Sequence, residues 1–269
     1  MANPILNERT WNQAARNPGW AAPDPATRNT PITDGPVSAW HSQVMTVGGT
    51  ISAAGVLMVI LLASAAVGWQ MGPDNQGTVR GFPGLALVGI LVGFACVIAM
   101  YFRPMWAKFL APVYAVGEGF FLGVVSKAYE SYQHGIVVQA VGATLGVFAV
   151  MLVLYRTQII KVTDRFRRIV IMATMGLMAF YLVSFVIRLI AGPGSVSFLQ
   201  SASGLGILFS VFAAGLAAMN LAIDFDFIER GARQGLPKGM EWFAAFALVV
   251  TLVWLYLELL RLLSKLQRR

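Results

Sequence analysis

The chain has 269 residues, of which 57% are apolar and only 12% are Asp, Glu, Lys or Arg. A soluble domain carries about 25% charged residues, so a globule of this composition could not cover its surface, and the apolar excess must face lipid. This excludes a soluble, disordered or disulfide-stabilised chain and predicts an integral membrane protein. The net charge of +8 does not indicate nucleic-acid binding, because the basic residues lie between apolar runs, where they set membrane orientation.

The N-terminal segment differs in composition from the rest of the chain. It is rich in Pro, Asn, Ala and Arg and lacks the short apolar core of a signal peptide. We interpret residues 1–42 as a mostly irregular cytoplasmic tail and residues 43–269 as one transmembrane domain.

Seven apolar stretches follow the tail, each close to the roughly 20 residues that a helix needs to cross a bilayer. They predict an all-α polytopic membrane protein with seven transmembrane helices. The stretches are Val44–Gly68, Gly84–Phe102, Lys108–Ala128, Gly135–Tyr155, Ile169–Ala191, Ser201–Asp224 and Trp242–Leu263.

The distribution of Lys and Arg predicts the orientation of these spans, because basic residues resist translocation. With the N-terminus inside, 13 of the 20 basic residues lie on the cytoplasmic side. We therefore expect a protein of the inner or plasma membrane whose N-terminus and loops near Arg165 and Arg233 are cytoplasmic, and whose Arg269 is external.

Small residues recur at helical spacing inside the predicted spans. Two examples are Gly119-x-x-x-Gly123 and Gly142-x-x-x-Gly146. Because small residues let helices approach closely in lipid, we interpret both pairs as packing positions.

Ionisable residues inside apolar spans are expensive and by default indicate function. Glu118 and Glu258 lie within spans, and Asp224 and Asp226 lie at the cytoplasmic end of the sixth. Glu118 has no residue within one helical turn that could neutralise it, so it must pair with another helix, hold a proton or meet water. Glu258 has Arg261 one turn further on, which favours an ion pair at the membrane interface.

Helical geometry separates the two aspartates, since residues two apart point about 200° away from each other. Asn220 and Asp224 share one face, which we assign to the interior. Asp226 and Arg230 share another face and are expected to form an ordinary solvated pair. Arg103, beside a proline, is expected at the cytoplasmic interface, from which it could reach inward.

Enzyme signatures are absent from the sequence. It contains no His-Glu-x-x-His, no cysteine pair, no Gly-x-Ser-x-Gly and no nucleotide-binding loop. We therefore expect neither catalysis nor a cofactor, and no metal-ligand set is predicted.

The chain contains three distinctive segments in this order: YAVGEGFFLGVVSKAYE at 114–130, LAIDFDFIER at 221–230 and WLYLELLRLL at 254–263. Together they resemble the Bax-inhibitor-1 or transmembrane BAX inhibitor motif family, in its bacterial YccA-like branch. The resemblance implies a bundle whose last helix is central, and a pH-sensitive calcium leak gated by one acid on the sixth helix and one on the seventh. It also implies an arginine from the second helix that closes over the two acids.

The family pattern assigns the first acid to Asp224 and the arginine to Arg103, and Glu118 matches a glutamate of the third helix. The second acid depends on how the seventh helix is aligned. Matching Leu-Tyr-Leu-Asp selects Glu258, whereas matching the terminal Leu-Leu-Arg-Leu-Leu places Thr251 at that position. Depth favours Thr251, since Glu258 lies about 24 Å beyond the start of its helix at 1.5 Å per residue.

The sequence thus predicts a passive, pH-sensitive cation leak with calcium as the permeant ion, because hard cations prefer oxygen ligands and compete with protons for carboxylates. The alternative is a membrane interaction protein that restrains a membrane protease or a stress-response partner. This alternative rests on the YccA-like resemblance alone.

Overall fold

A computed structural model describes residues 44–72, 84–192 and 201–268. The tail predicted for residues 1–42 lies outside the described residues, as does Arg269. All regular structure in the described residues is helical, apart from one isolated antiparallel bridge between Val44 and Pro237.

Seven α-helices run through the described residues, and the 3-10 turn Pro104–Trp106 joins the second to the third. They are α1 (Val47–Met71), α2 (Gly84–Phe102), α3 (Ala107–Tyr132), α4 (Ile136–Arg156), α5 (Asp164–Ala191), α6 (Gly204–Arg233) and α7 (Met240–Gln267). Six of them, all except α2, are long and apolar enough to cross a membrane, and α2 contributes the shorter apolar helix Leu91–Phe102. The prediction of an all-α, multi-pass membrane fold is confirmed.

Two helices extend at least five residues further at their charged ends than the apolar pattern predicts. Helix α5 begins at Asp164, five residues before the predicted Ile169, because Thr163 caps it by accepting a hydrogen bond from the backbone N–H of Phe166 at 3.2 Å. Helix α6 continues nine residues beyond Asp224 to Arg233, so Asp224 does not end its helix. Hydropathy detects where a helix leaves the apolar layer, not where its backbone hydrogen bonding stops.

Helices α1 and α3 pack backbone against backbone. A Cβ atom on Gly119 would overlap the backbone of Leu61, and one on Gly123 would overlap the backbone of Ala65. From the opposite side, a Cβ atom on Gly68 would meet the carbonyl group of Phe120. The first predicted glycine pair therefore holds two helices at a separation that no larger residue allows.

The second predicted glycine pair has a different environment. A Cβ atom on Gly142 or Gly146 would find no atom within 4 Å. The interpretation of this pair as a packing position is wrong for the described bundle, because no helix lies against that face of α4.

Helix α7 packs against α1, α3, α4 and α6. Of the six long helices, α7 is the most buried: 56% of its most apolar 18-residue segment is buried inside the bundle. One apolar cluster joins α7 to α1, α2 and α3 through Val249 and Val253. A second cluster joins it to α4 and α6 through Leu248 and Leu255. Side chains on α7 are therefore presented to most of the bundle.

Candidate functional site

Asp224 lies on α6 where this helix faces α7. Its Oδ2 atom is buried and has no hydrogen-bond partner among the described residues. The side chain of Thr251 on α7 lies beside this carboxyl group. The Thr251 hydroxyl has two acceptors for its single proton: the carbonyl oxygen of Ala247 at 3.1 Å and the Asp224 carboxyl group. A carboxyl oxygen and a hydroxyl oxygen thus meet where α6 contacts α7.

Asn220, which was expected to accompany Asp224, is bonded elsewhere. Its amide nitrogen donates to the hydroxyl of Thr174 on α5 and to the carbonyl oxygen of Leu216, both at 2.9 Å. The shared helical face brings Asn220 toward α5, where it ties α5 to α6 one turn from Asp224.

Glu258 belongs to a separate network on α7. It is 1% exposed and accepts hydrogen bonds from the hydroxyl of Tyr181 at 2.8 Å and from Arg261 at 3.0 Å to each carboxylate oxygen. The indole N–H of Trp254 also donates to it at 3.3 Å. The predicted pairing with Arg261 is present, and Tyr181 of α5 covers the carboxylate.

Glu118 occupies the boundary between α3 and α2. Its Oε2 atom lies 3.4 Å from the point that a Cβ atom on Gly93 would occupy, and the ring of Tyr114 borders the same space. No ion pair involves Glu118 within residues 44–72, 84–192 and 201–268. The Glu118 carboxylate therefore lies against the face of α2 at Gly93.

Arg103 caps the 3-10 turn between α2 and α3 and is exposed. In the described part of the chain, no ion pair or hydrogen bond joins it to Asp224. The arrangement therefore brings Thr251 to Asp224, while Glu258, Glu118 and Arg103 lie in other environments.

Asp226 is not solvated, contrary to the prediction. It is 5% exposed and lies between Arg230, whose Nε is 2.8 Å from Oδ1, and Arg167 on α5, which pairs with Oδ2. Arg230 also donates to the carbonyl oxygen of Val162 at 3.1 Å. The predicted pairing with Arg230 is present, but α5, extended by its charged first turn, covers the aspartate and adds a second cation.

Two buried charges escaped the sequence reasoning. Glu241, in the first turn of α7, accepts hydrogen bonds from the backbone N–H and the hydroxyl of Thr46, both at 2.9 Å. Lys265 is 3% exposed and donates to Gly206 and Ser210 of α6. Only the alternation of charge with apolar residues on α7 hinted at either residue, because their partners lie 195 and 55–59 residues away in the sequence.

The described residues contain no group of three or more His, Cys, Asp or Glu side chains that could hold a metal ion. A resident metal centre of that kind is thus not formed by this part of the chain. The oxygen pair at Asp224 and Thr251 has the donor chemistry for a transient cation or a proton.

Comparison with known proteins gives one family. The family model described as Bax inhibitor 1 like matches residues 3–268. A search of curated proteins found no match.

Proposed function

Because the chain belongs to the Bax inhibitor 1 like family, we propose that it is a passive, pH-sensitive cation leak whose permeant ion is calcium. We further propose that it spans the inner membrane seven times, with its N-terminus in the cytoplasm and the last helix at the centre of the bundle. We also propose that it belongs to the YccA-like branch of the family. The site described at Asp224 is the basis of this proposal.

The observation that carries the proposal is the buried Asp224 oxygen without a hydrogen-bond partner among the described residues. A buried carboxylate is normally paired or coordinates a cation. Calcium prefers oxygen ligands, including carboxylates and neutral oxygens. Asp224 and Thr251 supply one ligand of each kind at the surface where α6 meets α7.

The same geometry supports sensitivity to pH. A proton and a cation compete for the Asp224 carboxylate, because protonation removes the negative charge and one ligand oxygen. We infer that acidification lowers the flux. In this proposal, Thr251 takes the position of the second acid, so Asp224 supplies the carboxylate at the gate.

Glu118, between α3 and α2, is proposed as a second carboxylate along the pathway. It faces Gly93 of α2 and has no ion pair among the described residues. Glu258 is assigned a structural role, because Tyr181, Trp254 and Arg261 already satisfy its oxygens.

The proposal is tested with purified full-length protein in liposomes that contain a calcium-sensitive dye. Wild-type protein should pass calcium at neutral pH and less at acidic pH. Asp224→Asn should lower the neutral-pH flux about tenfold, the effect of losing one charge-assisted ligand, and should flatten the dependence on pH. Asp164→Asn is the matched control, because it makes the same chemical change at an exposed carboxylate and should retain both flux and pH response.

Two results would contradict the proposal. One is calcium flux no greater than that of empty liposomes at either pH, which would favour the membrane interaction protein instead. The other is an Asp224→Asn variant that keeps the full pH response, which would remove Asp224 from the role of sensor.

A further inference from the structure

The end of the bundle remote from Asp224 contains a cavity of about 760 Å³. The C-terminal ends of α3, α5 and α7 surround it. Gly206, next to this cavity through Lys265, is 18 residues before Asp224 on α6, which corresponds to about 27 Å of helix at 1.5 Å per residue. The cavity is therefore separate from the proposed cation site.

The lining of this cavity is strongly basic. It includes Arg188, Arg261, Lys265 and Arg268, and its described lining residues include no Asp or Glu. Glu258 pairs with Arg261 at 3.0 Å. Lys265 and Arg268 form no ion pair with a described carboxylate, so the described lining keeps a positive charge that suits an anion.

Lys265 contributes a buried positive charge to this cavity. It is 3% exposed, and its ammonium group contacts the carbonyl oxygen of Gly206 and the hydroxyl of Ser210, each at 2.8 Å. Both of these partners are neutral. A buried cation is normally paired with an anion, and no described carboxylate forms an ion pair with Lys265.

The side chains of the lining and the volume of the cavity indicate which kind of anion would bind. Arginine guanidinium groups match the oxygens of a phosphate through paired N–H donors. A volume of about 760 Å³ lies within the range of roughly 300–1,000 Å³ for organic ligands and is far larger than a halide requires. Tyr129 and Tyr132 add hydroxyl groups at the end of α3, where aromatic residues favour the membrane interface.

From these observations we propose that the cavity is a binding site for a phosphate group, carried by an anionic lipid headgroup or by a free phosphate ion. The cations of α5 and α7 bind the phosphate oxygens, and the bound anion supplies the missing counter-charge for Lys265. The site requires no particular permeant ion and does not depend on the cation leak.

Full-length protein in a neutral detergent tests the proposal by native mass spectrometry and by thermal unfolding. The probes are phosphatidylglycerol, phosphatidylcholine and inorganic phosphate. Wild-type protein should bind phosphatidylglycerol or inorganic phosphate more tightly than phosphatidylcholine, and the bound anion should raise its unfolding temperature. Displacement of phosphatidylglycerol by inorganic phosphate would show a common site, whereas binding of phosphate alone would identify a soluble anion as the source.

The decisive variant is Arg188→Gln combined with Arg268→Gln. Each cation near a phosphate contributes about fivefold in affinity, so the pair should weaken binding about 25-fold. The matched control is Arg165→Gln combined with Arg233→Gln, which removes the same charge from exposed positions at the other end of the bundle and should bind as wild type does. Arg268 lies on an exposed final turn, so Arg268→Gln alone should fold. Its affinity for the anionic probe should fall about fivefold, which can be measured even if the double variant does not fold.

The proposal is overturned if neither anionic probe binds more tightly than phosphatidylcholine. It is also overturned if the two double variants lose affinity equally, because binding would then follow net charge and not the cavity.

Discussion

At the scale of single residues, two aspartates on one helix have opposite environments. Asp226 is held between Arg167 and Arg230, whereas a buried oxygen of Asp224 has no hydrogen-bond partner in the described chain. A carboxylate that already has two cationic partners stabilises the fold, and one without them can exchange a proton or a cation. We therefore assign the functional role to Asp224, which lacks a cationic partner among the described residues, and a structural role to Asp226.

Asp226→Asn should destabilise the protein, because two arginines lose a shared, desolvated partner. We expect the free energy of unfolding to fall by on the order of 2 kcal/mol. The midpoint of thermal unfolding in detergent should then fall by about 5 °C. Asp164→Asn, an exposed position, should leave the midpoint unchanged within 1 °C or so. Equal midpoints for the two variants would show that the ion pairs with Asp226 add no stability.

Sequence periodicity predicted part of this contrast. A rotation of about 100° per residue separates the two aspartates and brings Arg230 to Asp226. It could not predict Arg167, which lies 59 residues earlier on a helix whose first turn was assigned to a loop. Thr251 was reached by helix depth and family resemblance, whereas the partners of Glu241 and Lys265 required the packed structure.

At the scale of helices, the α1–α3 pair depends on glycine. The close contacts of Gly119 and Gly123 are made to backbone atoms, which cannot move aside as a flexible side chain can. These contacts hold α1 and α3 together as one unit. Gly142 and Gly146 on α4 have no such neighbours.

Gly123→Ala should therefore separate α1 from α3, because the new methyl group would overlap the backbone of Ala65 and Trp69. We expect a loss of about 2–3 kcal/mol, as for overpacked cores, seen as a lower unfolding temperature or a smaller monodisperse fraction in size-exclusion chromatography. Gly142→Ala makes the same change where there is space. It should be neutral or stabilise the helix by up to about 1 kcal/mol. A Gly142→Ala variant as unstable as Gly123→Ala would mean that the α4 face is covered by a partner.

Both glycine pairs have the same spacing, so the sequence alone could not distinguish them. A small-residue motif shows that close approach is allowed, and only the neighbouring helix decides whether it occurs. The all-helical, multi-pass fold, in contrast, could be predicted from apolar length, because each span must satisfy its own backbone in lipid. The helix bounds were predicted least well at the charged ends, where hydropathy and backbone hydrogen bonding diverge.

At the scale of the whole molecule, the proposed seven crossings place the two polar regions on opposite sides of the membrane. The ion pairs of Asp226 lie near the end of α6 at Arg233, and the basic cavity lies near its start at Gly204. Basic residues resist translocation, so the first region should face the cytoplasm.

Cysteine labelling tests this topology. In a Cys96→Ala background, single cysteines at positions 165 and 233 should react with an impermeant reagent only from the cytoplasmic side. A cysteine at position 269 should react from the external side. Cys96 is buried, and its replacement by alanine removes only one sulfur atom, so the fold should be retained. Labelling of position 269 from the cytoplasm alone would show that the chain crosses an even number of times.

The buried charges of α7 also bear on how the chain enters the membrane during synthesis. A charged side chain at the centre of a span costs about 2.5–3.5 kcal/mol on insertion scales and less toward the ends. Outside α7, Glu241, Glu258 and Lys265 each have a partner, at the start of α1, on α5 and on α6, respectively. All three partners precede α7 in the chain, so they are made before it. We expect α7 to enter the bilayer only when those earlier helices are there to pack against it. In a chain that lacks α5 and α6, α7 should remain outside the bilayer.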